Sequence, residues 1–217
     1  MRTLVVGDIH GESRLLRNVL GLAGYTPGID KLVLIGDYID RGLDSLGTLQ
    51  LVRDLVAGGA VALRGNHDQM MIDVLAGRWD MGTWLDNGAQ ATIDSFTLNS
   101  PNRRWRPTAA EWAGFLMSLP TLHIDGTYMF VHAGVRPHDR NQFDEDLLWI
   151  RDDFLYCSDE PMPGYTVVFG HTMTHMIEGH GKTIPWFAPG RIGVDTGACR
   201  TGKLTCLELP SLQYWQT

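Results

Sequence analysis

Three things are scarce in this sequence, and each shortage closes off a class of protein. Of 217 residues only three are cysteine, Cys157, Cys199 and Cys206. An odd set with no Cys-x-x-Cys pair builds neither a disulfide framework nor a zinc ribbon, and suits thiols that stay reduced. Positive charge is short as well: 18 Lys and Arg against 25 Asp and Glu leave a formal net charge of −7. A field of that sign repels polyanions, so no nucleic-acid partner is expected and any anion must be held locally. Long apolar runs are missing. None approaches the roughly 18 consecutive residues that span a bilayer, so no membrane partner is expected. The opening Arg2-Thr3-Leu4-Val5-Val6 lacks the apolar stretch and small-residue cleavage site of a secretory signal, and a cytoplasmic location is expected. What is present, 44% hydrophobic and 20% charged residues, matches an ordinary globular protein, and the length suits one domain over residues 1–217.

The first third alternates strand and helix. Thr3 to Val6 is a short apolar run, followed by Leu15, Leu16, Val19, Leu20 and Ala23 at helical spacing. Lys31 to Ile35 repeats the pattern, with Asp44 or Ser45 as a cap before Leu46, Leu49, Val52, Leu55 and Val56. A third strand, Ala60 to Leu63, precedes a helical stretch from Asp68 to Ala76, with Asp68 expected as its N-cap. Three βα units imply a parallel core. Residues 77–120 read as mainly helical, with Thr108 and Glu111 resembling a capping box. From Leu122 the helices drop out: Leu122–Ile124, Tyr128–Val131, Thr166–Phe169, Arg191–Val194 and Lys203–Leu209 read as strands, and Arg136–Asp146 as an irregular polar loop. The expectation is an α/β fold of two packed mixed sheets flanked by helices.

The early strands each end at a polar turn: Gly7-Asp8-Ile9-His10-Gly11, Gly36-Asp37-Tyr38-Ile39-Asp40-Arg41-Gly42 and Gly65-Asn66-His67-Asp68. The carboxyl ends of parallel strands face one crevice, which brings these turns together. Two later strands end alike, in Val131-His132-Ala133-Gly134 and Phe169-Gly170-His171-Thr172. Any one of these turns also fits a helix cap or a tight turn; five in series at strand ends point to a shared site. Asp8, His10, Asp37, Asn66, His132 and His171 form a mixed nitrogen and oxygen set suited to Mn, Fe, Zn, Co or Ni and not to calcium. Six donors exceed what one ion needs, and two ions bridged by a carboxylate use them all.

These motifs, in this order from Leu4 to Leu209, resemble the calcineurin-like metallophosphoesterases, and within them the phosphoprotein phosphatase branch in its compact bacterial and bacteriophage lambda-type form. The resemblance implies that Asp8 and His10 bind a first metal, that Asp37 bridges, and that Asn66, His132 and His171 complete the second, with manganese the expected ion. It implies that Arg41 and Arg151, the latter in Leu148-Trp149-Ile150-Arg151, clamp phosphate, the rival reading of Arg151 being a surface ion pair with Asp152 or Asp153. It also implies that His67, oriented by Asp40, is a general acid and that a metal-bridging hydroxide attacks phosphorus directly. The expected activity is hydrolysis of phosphomonoesters on phosphoserine, phosphothreonine or phosphotyrosine, with a phosphorylated protein or a small phosphoester as partner. The alternative is a bis(5'-nucleosyl)-tetraphosphatase. The presence of Asp40 favours monoesters, because a serine alkoxide needs a proton donor and a nucleotide diphosphate leaves without much help. A non-catalytic module would be expected to have lost a ligand, and the acidic balance counts against a nuclease. The Arg103-Arg104-Trp105-Arg106 run reads as a solvated loop, Met70 and Met71 as packing, and Cys199 as an inert buried thiol. His123, His138, His175 and His180 match no motif position.

Overall fold

Alternating side chains along the strands assign the layers. The computed structural model describes Met1–Thr217. In β1 (Thr3–Val6), Leu4 and Val6 enter one core cluster and Val5 another; in β2 (Lys31–Leu34), Leu32 and Leu34 part from Val33 in the same way. A period of two puts neighbours on opposite faces, so a strand apolar throughout must be covered on both. The outer face of this sheet packs on α1 (Ser13–Leu22), α2 (Ser45–Ala57), α3 (Asn66–Leu75), α4 (Met81–Asp86), α5 (Ala89–Leu98) and α6 (Trp105–Ser118). The inner face meets the second sheet through Val5, Val33, Ile35, Leu63, Phe130 and Val168, all buried.

The first sheet runs β10-β9-β1-β2-β3, with β1, β2 and β3 (Val61–Ala62) parallel, and β9 (Thr205–Leu209) and β10 (Tyr214–Gln216) each antiparallel to its neighbour. The second contains β4 (Leu122–Asp125), β5 (Tyr128–Val131), β6 (Thr166–Phe169), β7 (Trp186–Ala188) and β8 (Arg191–Gly193) in the order β4-β5-β6-β8-β7. Here β5, β6 and β8 are parallel and the two outer strands antiparallel. Its far face, through Val131, Val167 and Phe169, packs on Leu147 of α7 (Asp144–Trp149) and on Phe154 and Leu155 of α8 (Asp152–Leu155). No helix is long and apolar enough to cross a membrane. Ile192 lies between the sheets, 5% exposed. Ile192→Val should cost about 0.5–1.5 kcal/mol, read as a lower urea midpoint at unchanged m-value.

Four details differ from the sequence reading. The last long strand begins at Thr205, not Lys203, and joins the first sheet, where Thr3 pairs with Leu209. Periodicity identifies a strand but not its neighbour. The helix expected to start at a Thr108 capping box starts at Trp105, with no side-chain cap; Trp105 packs on Trp84 with ring centroids 5.9 Å apart, and Pro107 sits in the first turn, where its missing N–H costs nothing. Asp68 is not the N-cap of α3, a place held by Gly65. It is the third residue, and its carboxylate accepts the backbone N–H groups of Gly65, Asp37 and Tyr38 at 2.9, 3.0 and 3.1 Å. The loop from Arg136 is closed by an Arg136–Asp146 ion pair at 2.9 Å and becomes α7 from Asp144.

Candidate active site

The carboxyl ends of the six parallel strands open onto one place. Asp8 and His10 follow β1, Asp37 and Asp40–Arg41 follow β2, and Asn66–His67 follow β3; from the second sheet come His132 after β5, His171 after β6 and Asp195 after β8. All except Arg41 are buried, none of the others more than 9% exposed. The backbone is unusual there. Of eight non-glycine residues with positive φ, five are His10, Asp37, Asp40, Arg41 and His171. Such conformations are unfavourable for L-residues and persist where the surroundings over-determine them, which they do most often at functional sites. The turns also need glycine for close approach: a Cβ on Gly65 would strike Asp37 Oδ1, and one on Gly170 would strike Asp8 Oδ1.

Asp37 is central. Its Oδ2 lies 3.4 Å from His10 Nε2 and its Oδ1 3.5 Å from His132 Nε2. Two sets of donor atoms, His10–Asp37–His67 and Asp8–Asp37–His132, each fall within 4.8 Å of one another and share Asp37. Asn66 Oδ1 sits 2.8 Å from His132 Nε2 and 2.9 Å from His171 Nδ1. Asp8 is held by the His171 backbone N–H at 3.0 and 3.1 Å, and Asp37 by the His67 N–H at 2.9 Å.

The donors fit divalent ions. His10 Nδ1 meets the Ile39 carbonyl at 2.8 Å and His132 Nδ1 meets the Ile35 carbonyl at 3.0 Å. A carbonyl only accepts, so each Nδ1 carries the proton and each Nε2 turns a lone pair into the site. The His132 lone pair then faces Asn66 Oδ1, also an acceptor, and His171 Nε2 is buried with no partner. Facing acceptors and an orphaned ring nitrogen are what a cation satisfies. Charge tells the same story. Burial, with Asp195 and Asp37 adding to it, pushes the Asp8 carboxyl well above its ordinary range, and burial lowers His10 to about 3. Burial also opposes ionisation of Asp37, but the surrounding imidazoles outweigh it and hold that carboxyl below the usual range. A bound cation stabilises such carboxylates as anions and keeps the imidazoles neutral.

Beside this set stands His67, whose Nδ1 is 2.8 Å from Asp40 Oδ2. The Arg41 guanidinium reaches His10 Nε2 at 2.6 Å and His67 Nε2 at 2.8 Å, one amino group to each ring. Arg151 pairs with neither Asp152 nor Asp153. Its Nη1 donates to Thr172 Oγ1 at 2.7 Å, which points the guanidinium along the His171 turn, toward the same centre as Arg41. The ten residues singled out from sequence therefore meet. A cluster of candidate metal donors beside two guanidiniums and an imidazole on a carboxylate has the chemistry to bind a phosphoryl group.

The calcineurin-like phosphoesterase family model matches residues 1–193. The chain belongs to that family. It is 31% identical to serine/threonine-protein phosphatase 2 of Salmonella typhimurium, over 94% of this chain and 91% of that one. It is 33% identical to the symmetrical bis(5'-nucleosyl)-tetraphosphatase of Aromatoleum aromaticum, a match covering 63% of this chain and only 45% of that relative. The fold superposes on a crystal structure of a provisionally named diadenosine tetraphosphatase with a TM-score of 0.71 at 22% identity, covering 100% of this chain and 92% of the other. The named relatives in this family thus fall into two substrate classes.

Other residues weighed in the sequence stay outside the site. Met70 and Met71 are fully buried core, and His123 stacks on Phe130 at 5.9 Å. Arg103 and Arg104 are exposed just before α6, and Arg106, also exposed, lies over Trp105 in its first turn, so the run is solvated but its second half is helical. Cys199 is half-buried, with its thiol pushed up by burial, and Cys206 is pushed up to about 12. Sequence reasoning missed Asp195. It accepts the Gly197 N–H at 2.8 Å, and burial raises it to about 6. Its signal was the Gly193-Val194-Asp195-Thr196-Gly197 strand end, a sixth polar tip like the other five.

Proposed function

We propose that the protein is a metal-dependent phosphomonoester hydrolase acting on phosphoserine and phosphothreonine in proteins, and on phosphotyrosine. Asp8, His10, Asp37, Asn66, His132 and His171 would hold two divalent ions, manganese first among Mn, Fe, Zn, Co and Ni, with Asp37 shared. Such ions supply Lewis-acid neutralisation of phosphoryl oxygens and acidify water toward neutral pH. Arg41 and Arg151 take the remaining phosphate oxygens as planar forks and fix the ester in line for displacement. Asp40 holds the Nδ1–H of His67, which leaves Nε2 to carry a proton to the departing oxygen. The partner is a phosphorylated protein or a small phosphoester.

The Asp40–His67 contact at 2.8 Å carries this reading. Expelling an alkoxide calls for a proton donor, and the contact fixes the orientation of the ring that would supply it. The second reading, hydrolysis of bis(5'-nucleosyl) tetraphosphates, draws on the relatives that bear that name; a nucleotide leaving group needs no such pair. The test is the metal-loaded protein assayed side by side on a phosphoserine peptide, p-nitrophenyl phosphate and diadenosine tetraphosphate. We expect turnover of both monoesters, with the peptide favoured over the dinucleotide. Turnover of the dinucleotide alone would overturn the proposal.

A further inference from the structure

Helices α4 and α5 add nothing to the proposed ligand set, yet with the turn between them they close around Asp40 and Arg41. The Asp40 carboxylate receives three donors: His67 Nδ1 at 2.8 Å and Trp84 Nε1 at 2.9 Å on Oδ2, and Thr92 Oγ1 at 2.7 Å on Oδ1. Thr92 Oγ1 also accepts the backbone N–H of Asp40 at 2.8 Å and lies 3.0 Å from Ser45 Oγ. A hydroxyl has one proton, and here it is committed to the carboxylate, so Ser45 is the donor to Thr92. One residue along, the Arg41 N–H donates to the Gly88 carbonyl at 3.0 Å, in the turn joining α4 to α5. Asp40 and Arg41 have φ of 69° and 68°, so the chain holds a strained pair where this segment grips it. Asp40, Ser45, Trp84 and Thr92 are all 0% exposed, which makes every bond in the network matter.

We propose that Trp84 and Thr92 are positioning residues for phosphate-ester cleavage: together they fix the Asp40 carboxylate so that its Oδ2 presents the His67 ring to the leaving group. The inference rests on His67 being the proton donor, as argued above. Trp84 is also a core residue packed on Trp105, and Thr92 a buried helix residue, so a loss of stability alone would not distinguish positioning from packing. Leaving-group dependence does. A disordered donor hurts only those substrates whose leaving oxygen needs its proton, whereas general loosening of the site slows all of them.

The experiment compares Thr92→Val, Thr92→Ser, Trp84→Phe and His67→Asn with the parent, all metal-loaded, on p-nitrophenyl phosphate, phenyl phosphate and a phosphoserine peptide. Thr92→Val and Trp84→Phe should lower kcat on the peptide and phenyl phosphate by about ten- to a hundredfold, the scale of losing a partner that orients a site group. Their kcat on p-nitrophenyl phosphate and their KM values should change little, and Thr92→Ser should restore the parent's behaviour. Equal slowing of all three substrates, or no rescue by serine, overturns the inference. Should Thr92→Val fail to fold, Trp84→Phe, which keeps an aromatic ring in place, decides the matter by the same readout. If His67→Asn shows the leaving-group dependence and these variants do not, only the positioning role falls. If His67→Asn lacks it as well, the proton-donor reading fails and takes the inference with it.

Discussion

Asp37→Asn is expected to strip metal from the protein and reduce turnover by on the order of 10³ or more, beyond the 10²–10³ that follows loss of one donor to a transition state. The reason is geometric. Its two oxygens face different partners, Oδ1 toward His132 Nε2 and Oδ2 toward His10 Nε2, so one side chain serves both donor groups. Asparagine keeps the shape but halves the acceptors. Its NH₂ would donate to one imidazole lone pair, satisfying a nitrogen that otherwise needs a cation, and the negative charge would be gone. The fold should survive, because the His67 N–H can still find the amide oxygen in place of Asp37 Oδ1. Elemental analysis after reconstitution with manganese checks the metal, circular dichroism checks the fold, and initial rates check turnover. Two equivalents of bound metal with rates near the parent's would remove Asp37 from its shared role.

His67→Asn tests a different part of the site and should give a different pattern. Metal content is expected to stay at the parent's level, while kcat on a phosphoserine peptide falls by about 10²–10⁴, the usual contribution of general acid catalysis. Metal is retained because Asp8, His10, Asp37, Asn66, His132 and His171 are all left in place. Catalysis suffers because the ring on Asp40, at 2.8 Å, sits beside the two guanidinium contacts of Arg41, where a phosphate and its leaving group would lie. Unchanged turnover would remove His67 from the proton-donor role, and loss of metal together with activity would make it a ligand instead.

How much of this could be read from the chain alone varies residue by residue. Asp8, His10, Asp37, Asn66, His132 and His171 stood out because each sits at a strand end with a glycine within two residues, where only the carboxyl-end geometry of a parallel sheet explains so many polar residues in short turns. Asp195 sits at such an end too but, like His132 after Val131, follows a valine directly, and its place in the site became visible only with β8 beside β6. Arg151 could be found but not placed: spacing left open an ion pair with the next two aspartates, and only the Thr172 contact decided against it. Trp84 and Thr92 gave no signal. A tryptophan and a threonine in a helical stretch look like packing until a folded chain shows that their one polar hydrogen apiece ends on Asp40.

What the sequence determined by itself is local: short apolar runs, most of them ending in Gly-Asp, Gly-Asn or Gly-His, three helices at the right spacing, and the chemistry of the tips. These follow from backbone sterics and side-chain type, which act within a few residues. The tertiary structure decided what depends on distance through space. It chose which sheet received Thr205–Leu209, gave Asp37 two faces, turned Arg151 away from its sequence neighbours, and folded α4 and α5 onto a carboxylate some fifty positions earlier. No periodicity encodes such pairings, because they arise from the closing of one core over residues that the chain keeps far apart.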